Sequence, residues 1–168
     1  DPAQPGKTQL EVRDVSSRNE AGKQVLSHVS FALREGEILG IAGVEGSGQE
    51  DIVQFVTGMK NRGNSGRILL GGKDMKGARI RDIRRKGMAY IPEDRMTTGV
   101  AEHVSIQENL VSSIYDTEMV NKGVLTDKKK VKAWVDSAVR DYDIRCGSPK
   151  DEVGMLSGGN MQKVVIAR

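Results

Sequence analysis

The chain of 168 residues is long enough for one domain with a hydrophobic core, and its 26 Lys and Arg against 23 Asp and Glu leave a net charge of +3. Because the charges nearly balance and the basic residues are dispersed, the composition gives no support for nucleic-acid binding. The single cysteine, Cys146, rules out an internal disulfide, and no apolar run approaches the roughly 20 residues that span a membrane.

The first elements in chain order are a linker and two strands. Residues 1–9 are polar and contain proline and glycine, which predicts a linker that follows other sequence in a longer parent chain. Apolar and polar residues alternate over residues 10–15 and again over residues 29–33. This alternation is typical of strands that bury one face.

A short strand, a glycine-rich loop and a helix are expected next. Residues 38–42 form an apolar run that predicts a strand leading into the loop. The loop, residues 43–50, has the G-x-x-x-x-G frame of a phosphate-binding P-loop. Apolar residues at helical spacing predict a helix over residues 49–57, which Gly58 ends.

The two residues of the P-loop that carry its chemistry are replaced. Gln49 stands where the motif has Lys, and Glu50 stands where it has Ser or Thr. Gln49 carries no charge, while Glu50 puts a carboxylate at the phosphate and metal position and Asp51 adds negative charge nearby. Since a unit charge at ~4 Å is worth about 4 kcal/mol at an effective dielectric near 20, the loop is expected to bind phosphates poorly. The alternative is that both acids only stabilise the helix dipole.

The later elements are strands, then mostly helices. We expect strands at residues 66–70 and 88–91, with a short helix at 80–86 between them. A capping box at residues 105–108 predicts a helix start, and Thr126 is the expected cap of a longer helix. The apolar stripe predicted for that longer helix is Val131, Trp134, Val135, Ala138, Val139 and Tyr142.

Near the end of the chain, residues 156–160 read Leu-Ser-Gly-Gly-Asn. Taken alone, they could be an ordinary serine-capped helix start. Together with the glycine loop and with residues 90–95 and 105–110, they resemble the nucleotide-binding domain of an ATP-binding cassette (ABC) transporter. More specifically, the chain resembles the second cassette of fused two-cassette importers for simple sugars and nucleosides. The G-x-G-Q-E form of the loop favours the nucleoside branch.

This resemblance implies an α/β fold. A P-loop (RecA-like) core would carry an antiparallel β segment and an inserted helical subdomain, incomplete at the C-terminus. The implied parts of the domain, residues 10–168, are the core at 10–94, the helical subdomain at 95–155, and the signature motif with its helix at 156–168.

The resemblance also assigns roles to individual residues. The loop would be a degenerate nucleotide site, and Ser157 with the following N–H groups would meet the γ-phosphate on a partner cassette's P-loop. Glu93 stands where the family usually has a glutamine that touches Mg²⁺ and senses the membrane subunit, a departure that weakens the case for metal contact. The implied site residues are Gly43, Val44, Glu45, Gly46, Ser47, Gly48, Gln49, Glu50, Glu93, Leu156, Ser157, Gly158, Gly159 and Asn160.

Two further departures from the family concern adenine and catalysis. No aromatic residue lies between Leu10 and Ser30 to stack on adenine. The strand with the metal-binding Asp and catalytic Glu, and the switch histidine, are expected beyond Arg168. No catalytic residue or metal ligand is therefore assigned within the chain, which is expected to be inactive alone although the parent would hydrolyse ATP with Mg²⁺.

The implied setting is the cytoplasmic side of the bacterial cell membrane. The implied partners are a second cassette, membrane permease subunits and, indirectly, an extracytoplasmic solute-binding protein, with no nucleic acid. Two alternatives stay open. An independent P-loop kinase or GTPase is disfavoured by Gln49 and the Leu-Ser-Gly-Gly element, and a soluble ABC-type protein of DNA repair or translation is disfavoured by residues 92–95.

Overall fold

The computed structural model describes residues 4–19, 21–44, 46–60, 64–123 and 125–168. The chain divides into two compact units, of which the first extends to Tyr90 and the second begins at Ile91. The domain boundaries expected from the sequence at residues 94 and 155 stay predictions. Among the helices of the described residues, none is both long and apolar enough to cross a membrane.

The first unit is built on a four-stranded antiparallel sheet with the strand order β2-β1-β3-β4. Its elements are β1 (Thr8–Arg18), β2 (Gln24–Arg34), α1 (Gln49–Val56), β3 (Asn64–Leu70), β4 (Lys73–Asp74) and α2 (Ile80–Arg85). The strands predicted at residues 10–15, 29–33 and 66–70 are therefore confirmed, and each is longer than its apolar pattern.

One face of the sheet and the two helices enclose the core of the first unit. Alternation in β1 buries Leu10 and Val12, and a register shift between Val12 and Val15 keeps Val15 buried as well. Gly66 has φ 93°, and a Cβ there would lie 2.6 Å from the carbonyl oxygens of Arg13 and Asp14, so only glycine fits. The buried core residues are Leu10, Val12, Val15, Leu26, Ile68, Met75 and Ile83.

The predicted strands at residues 38–42 and 88–91 are not formed. Ile38 is 98% exposed, and neither segment has a strand assignment. A strand is stable only when its N–H and C=O groups bond to a neighbouring strand. Within the described part of the chain no strand pairs with either segment, so their apolar character does not produce a sheet.

The second unit is mainly helical. Its elements are a π-helical turn (Arg95–Gly99), α3 (Ile106–Val111), β5 (Asn121–Lys122), β6 (Leu125–Thr126), α4 (Lys128–Asp141), a 3₁₀ turn (Val153–Met155) and α5 (Gly158–Ala167). Helix α5 begins within the Leu-Ser-Gly-Gly-Asn stretch, as predicted. The helices share a core of Val100, Ile106, Leu110, Val120, Val131, Val135, Ala138, Ile144, Val153, Met161, Val164, Val165 and Ala167.

The cap of α4 differs from the prediction. Asp127, not Thr126, is the N-cap, and its carboxylate accepts hydrogen bonds from the N–H groups of Lys129 and Lys130. The charged carboxylate also interacts favourably with the positive end of the helix dipole. At the other end, Tyr142 is the C-cap and is 43% exposed, so it does not belong to the buried stripe.

Helix α3 begins with the predicted capping box. The Ser105 Oγ accepts from the Glu108 N–H at 3.2 Å, and the Glu108 carboxylate accepts from the Ser105 N–H at 3.3 Å. The next residue, Asn109, is only 3% exposed. Its amide accepts from the Ala101 N–H at 2.9 Å and donates to the Ala101 and Val104 carbonyls, so it fixes the loop that leads into the helix.

Replacing Asn109 with leucine should destabilise the second unit. Leucine has the same branched shape and number of heavy atoms but leaves the Ala101 N–H and the loop carbonyls without their side-chain partner. We expect the free energy of unfolding to fall by about 2 kcal/mol, measured by urea denaturation. Ser112→Ala at the exposed C-cap of α3, which removes one hydrogen bond to the Asn109 carbonyl, is the control, with a loss of about 0.5 kcal/mol or less. A loss for Asn109→Leu no larger than for the control would contradict this role.

Candidate functional site

The glycine loop of the first unit has two glycines with positive φ just before α1. Gly46 and Gly48 have φ values of 79° and 94°, in the left-handed region that favours glycine. Gly48 is the N-cap of α1, and a Cβ there would lie 2.8 Å from the Leu26 side chain. The loop therefore packs directly against β2 and leads into a helix N-terminus. The predicted loop residue Glu45 lies outside the described residues.

Gln49 lies across the loop. A Cβ placed on Gly43 would be 2.5 Å from the Gln49 Nε2, so the amide rests against the Gly43 backbone. Gln49 is half-buried rather than a surface side chain. At the position of the usual lysine, the loop therefore carries a neutral amide that is packed onto its own backbone.

The two acids that follow Gln49 are each paired with another side chain. The Glu50 Oε1 accepts from the Gln54 Nε2 at 2.8 Å, one turn further along α1. The Asp51 Oδ1 lies 2.6 Å from the Lys60 Nζ, and both side chains are largely buried. Both acids lie in the first turn of α1, where the helix-dipole alternative places them. The Lys60 ammonium offsets the Asp51 charge, and the Gln54 amide holds the Glu50 carboxylate along α1, so the repulsion expected from the two acids is reduced.

A cleft of about 280 Å³ lies beside the loop. Its lining residues are Asn19, Lys23, Gln24, Val25, Gly46, Ser47 and Asp51. None of these residues is aromatic, so the cleft has no ring on which an adenine could stack. Lys23 and Asn19 come from the β1–β2 turn and were not identified from the sequence, because a turn lysine has no distinguishing pattern.

Glu93 is exposed and stands just before the π-helical turn. Its neighbour Asp94 holds that turn, because its carboxylate accepts from the Thr97 N–H at 3.1 Å and from the Thr97 hydroxyl at 2.5 Å. The Asp94 carbonyl also accepts from the Thr98 hydroxyl at 2.6 Å. The turn thus places Glu93 at the surface on a fixed backbone.

The second candidate element is the N-terminus of α5. Ser157 is the N-cap, and Gly158 and Gly159 form the start of the helix, with open space around Gly159. The first intrahelical bond runs from the Met161 N–H to the Ser157 carbonyl at 2.9 Å. The N–H groups of residues 158–160 precede this bond and have no acceptor within the helix, so they can donate to an anion at the helix N-terminus.

The Ser157 side chain does not cap the helix backbone. Its Oγ instead accepts a hydrogen bond from the Asn160 Nδ2 at 3.0 Å. The Asn160 Oδ1 in turn accepts from the Arg145 N–H at 2.9 Å. The link from Arg145 to Asn160 was not predicted, because it connects α5 to a loop 15 residues upstream.

The same loop holds α5 one turn further along. The Lys163 Nζ donates to the Asp143 carbonyl at 2.6 Å and to its Oδ2 at 3.0 Å. The hydrogen bond and charge of Lys163, with the charge of Arg145, lower the pKa of Asp143 below its usual range. The first two turns of α5 are therefore tied to this loop at two points.

The Cys146 thiol is a titratable group outside these two elements. Burial and nearby Asp151 raise the pKa of the Cys146 thiol, which disfavours the reactive thiolate. In the parts of the chain that the structure describes, no three His, Cys, Asp or Glu side chains gather as a metal-binding group.

Comparison with known proteins gives one family. A family model described as ABC transporter matches residues 26–168. The nucleoside import ATP-binding protein NupA of Lactococcus lactis subsp. cremoris is 32% identical over 166 residues, which cover 99% of this chain and 33% of that protein. The galactose/methyl galactoside import ATP-binding protein MglA of Vibrio cholerae serotype O1 is 37% identical over 161 residues, which cover 95% of this chain and 31% of that protein. The chain spans about a third of the length of these relatives.

A solved structure gives the same result for the fold. The structure of cbiO1 from Clostridium perfringens, part of the ABC transporter complex cbiONQ, superimposes with a TM-score of 0.69 at 21% identity and covers 96% of this chain and 60% of that chain. At this identity the likeness establishes the fold alone. The predicted α/β fold class with an antiparallel β segment is confirmed as that of ABC ATPase domains.

Proposed function

The chain belongs to the ABC transporter family, and we propose that it acts as the second, degenerate cassette in the ATP-binding subunit of an importer for simple sugars or nucleosides. One observation carries this proposal: a phosphate loop without its lysine and hydroxyl occurs in the same chain as a complete signature element. We infer a division of labour in which the chain assists a partner's ATP site more than it uses its own.

The chain's own loop does not suit Mg²⁺-ATP. A lysine would add positive charge at position 49, and a hydroxyl at position 50 would hold the metal. Gln49 supplies no charge, and the Glu50 carboxylate hydrogen-bonds to Gln54. The backbone cradle remains, so we propose weak phosphate binding here and no hydrolysis.

The N-terminus of α5 is the part proposed to act on ATP held by a partner cassette. The Ser157 hydroxyl and the N–H groups of Gly158 and Gly159 are donors, and the helix dipole adds partial positive charge at the same point. Phosphate oxygens only accept hydrogen bonds. Contact with these donors would neutralise charge on the γ-phosphate and bring the two cassettes together.

The proposed link to transport runs through Glu93. This residue is exposed beside a turn that Asp94 stabilises, so a membrane subunit can contact it without unfolding the turn. In this proposal, closure of the cassettes moves that surface, and the permease subunits respond at the cytoplasmic face of the membrane. An extracytoplasmic solute-binding protein takes part indirectly, through the permease.

The isolated chain should show no significant ATPase activity. It lacks the lysine and the metal-binding hydroxyl at its own loop, and a single copy offers no second cassette for its α5 end. Steady-state phosphate release with Mg²⁺-ATP is the measurement. Turnover near ~1 s⁻¹, within the ordinary range for enzymes, would refute this expectation and favour the P-loop kinase or GTPase alternative.

Purification of the full-length protein separates the importer from the soluble ABC-type alternative. A tagged full-length protein should be recovered from detergent-solubilised membranes with polytopic membrane subunits. Recovery with DNA or ribosomes, sensitive to nuclease and to salt, would instead support a role in repair or translation.

A further inference from the structure

The side-chain amide of Asn160 has a defined orientation. The Arg145 backbone N–H lies 2.9 Å from the Asn160 Oδ1, and a backbone N–H can only donate. The amide must therefore present its oxygen to Arg145 and its NH₂ group to the other side. On that side the Nδ2 lies 3.0 Å from the Ser157 Oγ.

This orientation decides how the Ser157 hydroxyl is used. The Oγ accepts from Asn160, and the hydroxyl makes no capping bond to the α5 backbone. A hydroxyl has a single hydrogen, and neither of these contacts uses it. The hydrogen is thus left for a group outside the helix that can accept it.

The backbone N–H groups and the Ser157 O–H at this end of α5 are then all available as donors. The N–H groups of residues 158–160 precede the first intrahelical bond, and Ser157 adds its O–H. We propose that Asn160 is a positioning residue that keeps the Ser157 hydroxyl as a donor to the γ-phosphate of ATP. This inference rests on the proposed function, in which that phosphate belongs to the partner cassette's ATP.

The support for Asn160 is rigid. Its partner, Arg145, follows Ile144, which is 4% exposed in the same core as Met161 and Val164. Lys163 also ties this loop to α5 through Asp143. The Asn160 amide is therefore held by a packed loop, and its side chain loses little conformational freedom when phosphate binds.

The test uses the full-length two-cassette protein assembled with its membrane subunits. Ser157→Ala, Asn160→Ala and the double variant are compared for ATPase kcat and KM, for ATP and ADP affinity, and for melting temperature. Each single change should lower kcat/KM by about tenfold, the usual effect of losing one hydrogen bond to a charged group. The double variant should be no worse than Ser157→Ala, because Asn160 acts through Ser157. ADP affinity should stay unchanged, since ADP has no γ-phosphate.

A second variant guards against a folding defect in Asn160→Ala. Asn160→Asp has the same shape and can still accept from the Arg145 N–H, but its other oxygen takes the Ser157 hydrogen and adds negative charge. We expect an unchanged melting temperature and a loss of kcat/KM larger than that of Asn160→Ala.

The outcomes separate this inference from the proposed function. If Ser157→Ala leaves the ATPase rate unchanged, the proposed role of the signature element fails, and this inference fails with it. Suppose instead that Ser157→Ala lowers kcat/KM, and that the fold-loss of the double variant equals the product of the two single-variant fold-losses. Asn160 then acts independently of Ser157, and only this inference is overturned. Wild-type kinetics for Asn160→Asp would overturn it as well.

Discussion

Ser157→Arg should stop ATP hydrolysis at the partner's loop in the assembled transporter, with a loss of at least about 100-fold in rate. Ser157 is exposed at the α5 N-terminus, and the space around Gly159 is open. An arginine side chain fits there without clashing inside the unit, but it fills the place where the γ-phosphate would approach. It also prevents close approach of a partner surface. The measurement is the ATPase rate of the complete transporter.

Two control variants make this result specific. Gln162→Arg introduces the same side chain at an exposed position of α5, beyond the first turn, and should keep most of the activity. Gln49→Ala alters a loop that already lacks its charge, and it should cost much less than Ser157→Arg. Thermal melts should place all three variants within a few degrees of the parent. If Gln49→Ala is the more damaging change, the asymmetric division of labour is wrong.

The sequence predicts the parts of this chain whose stability is local. The capping box of α3 satisfies its own N–H groups within four residues, and the loop glycines hold φ values that other residues avoid. Antiparallel strands such as β1 and β2 also show an alternating pattern, because only one face is buried. These elements were predicted correctly because the cause of each lies within a few neighbouring residues.

The parts that sequence reasoning missed depend on distant partners. The apolar residues 38–42 look like a strand, but the described residues supply no neighbour to pair with them. The sequence pattern does not show the side-chain partners of Glu50 and Asp51, which are Gln54 and Lys60. The Asn160–Arg145 bond joins positions 15 residues apart, and no spacing rule identifies it.

The second prediction of a large effect concerns the glycine loop at Gln49 and Glu50. The double change Gln49→Lys and Glu50→Ser should tighten Mg²⁺-ATP binding by the isolated chain at least about tenfold, because Gly46 and Gly48 keep the positive φ values that such a loop requires. The attraction between the new lysine and a phosphate charge is at most about 4 kcal/mol, for a separation of ~4 Å and an effective dielectric near 20. Solvent screening at this half-buried position reduces that attraction. The measurement is calorimetric titration, with adenosine as a ligand that lacks phosphates.

The single changes show which defect dominates. The Glu50 carboxylate is hydrogen-bonded to Gln54, one turn further along α1 from the loop, so we expect its removal to relieve little repulsion at the phosphate position. Gln49→Lys alone should therefore recover most of the gain, Glu50→Ser alone should recover little, and the adenosine affinity should not change in any variant. Phosphate release should stay negligible throughout, because these changes restore binding groups and supply no catalytic carboxylate. Equal Mg²⁺-ATP affinity for the double variant and the unaltered chain would show that Gln49 and Glu50 are not the defect. A larger effect from Glu50→Ser than from Gln49→Lys would show that the carboxylate faces the phosphates after all.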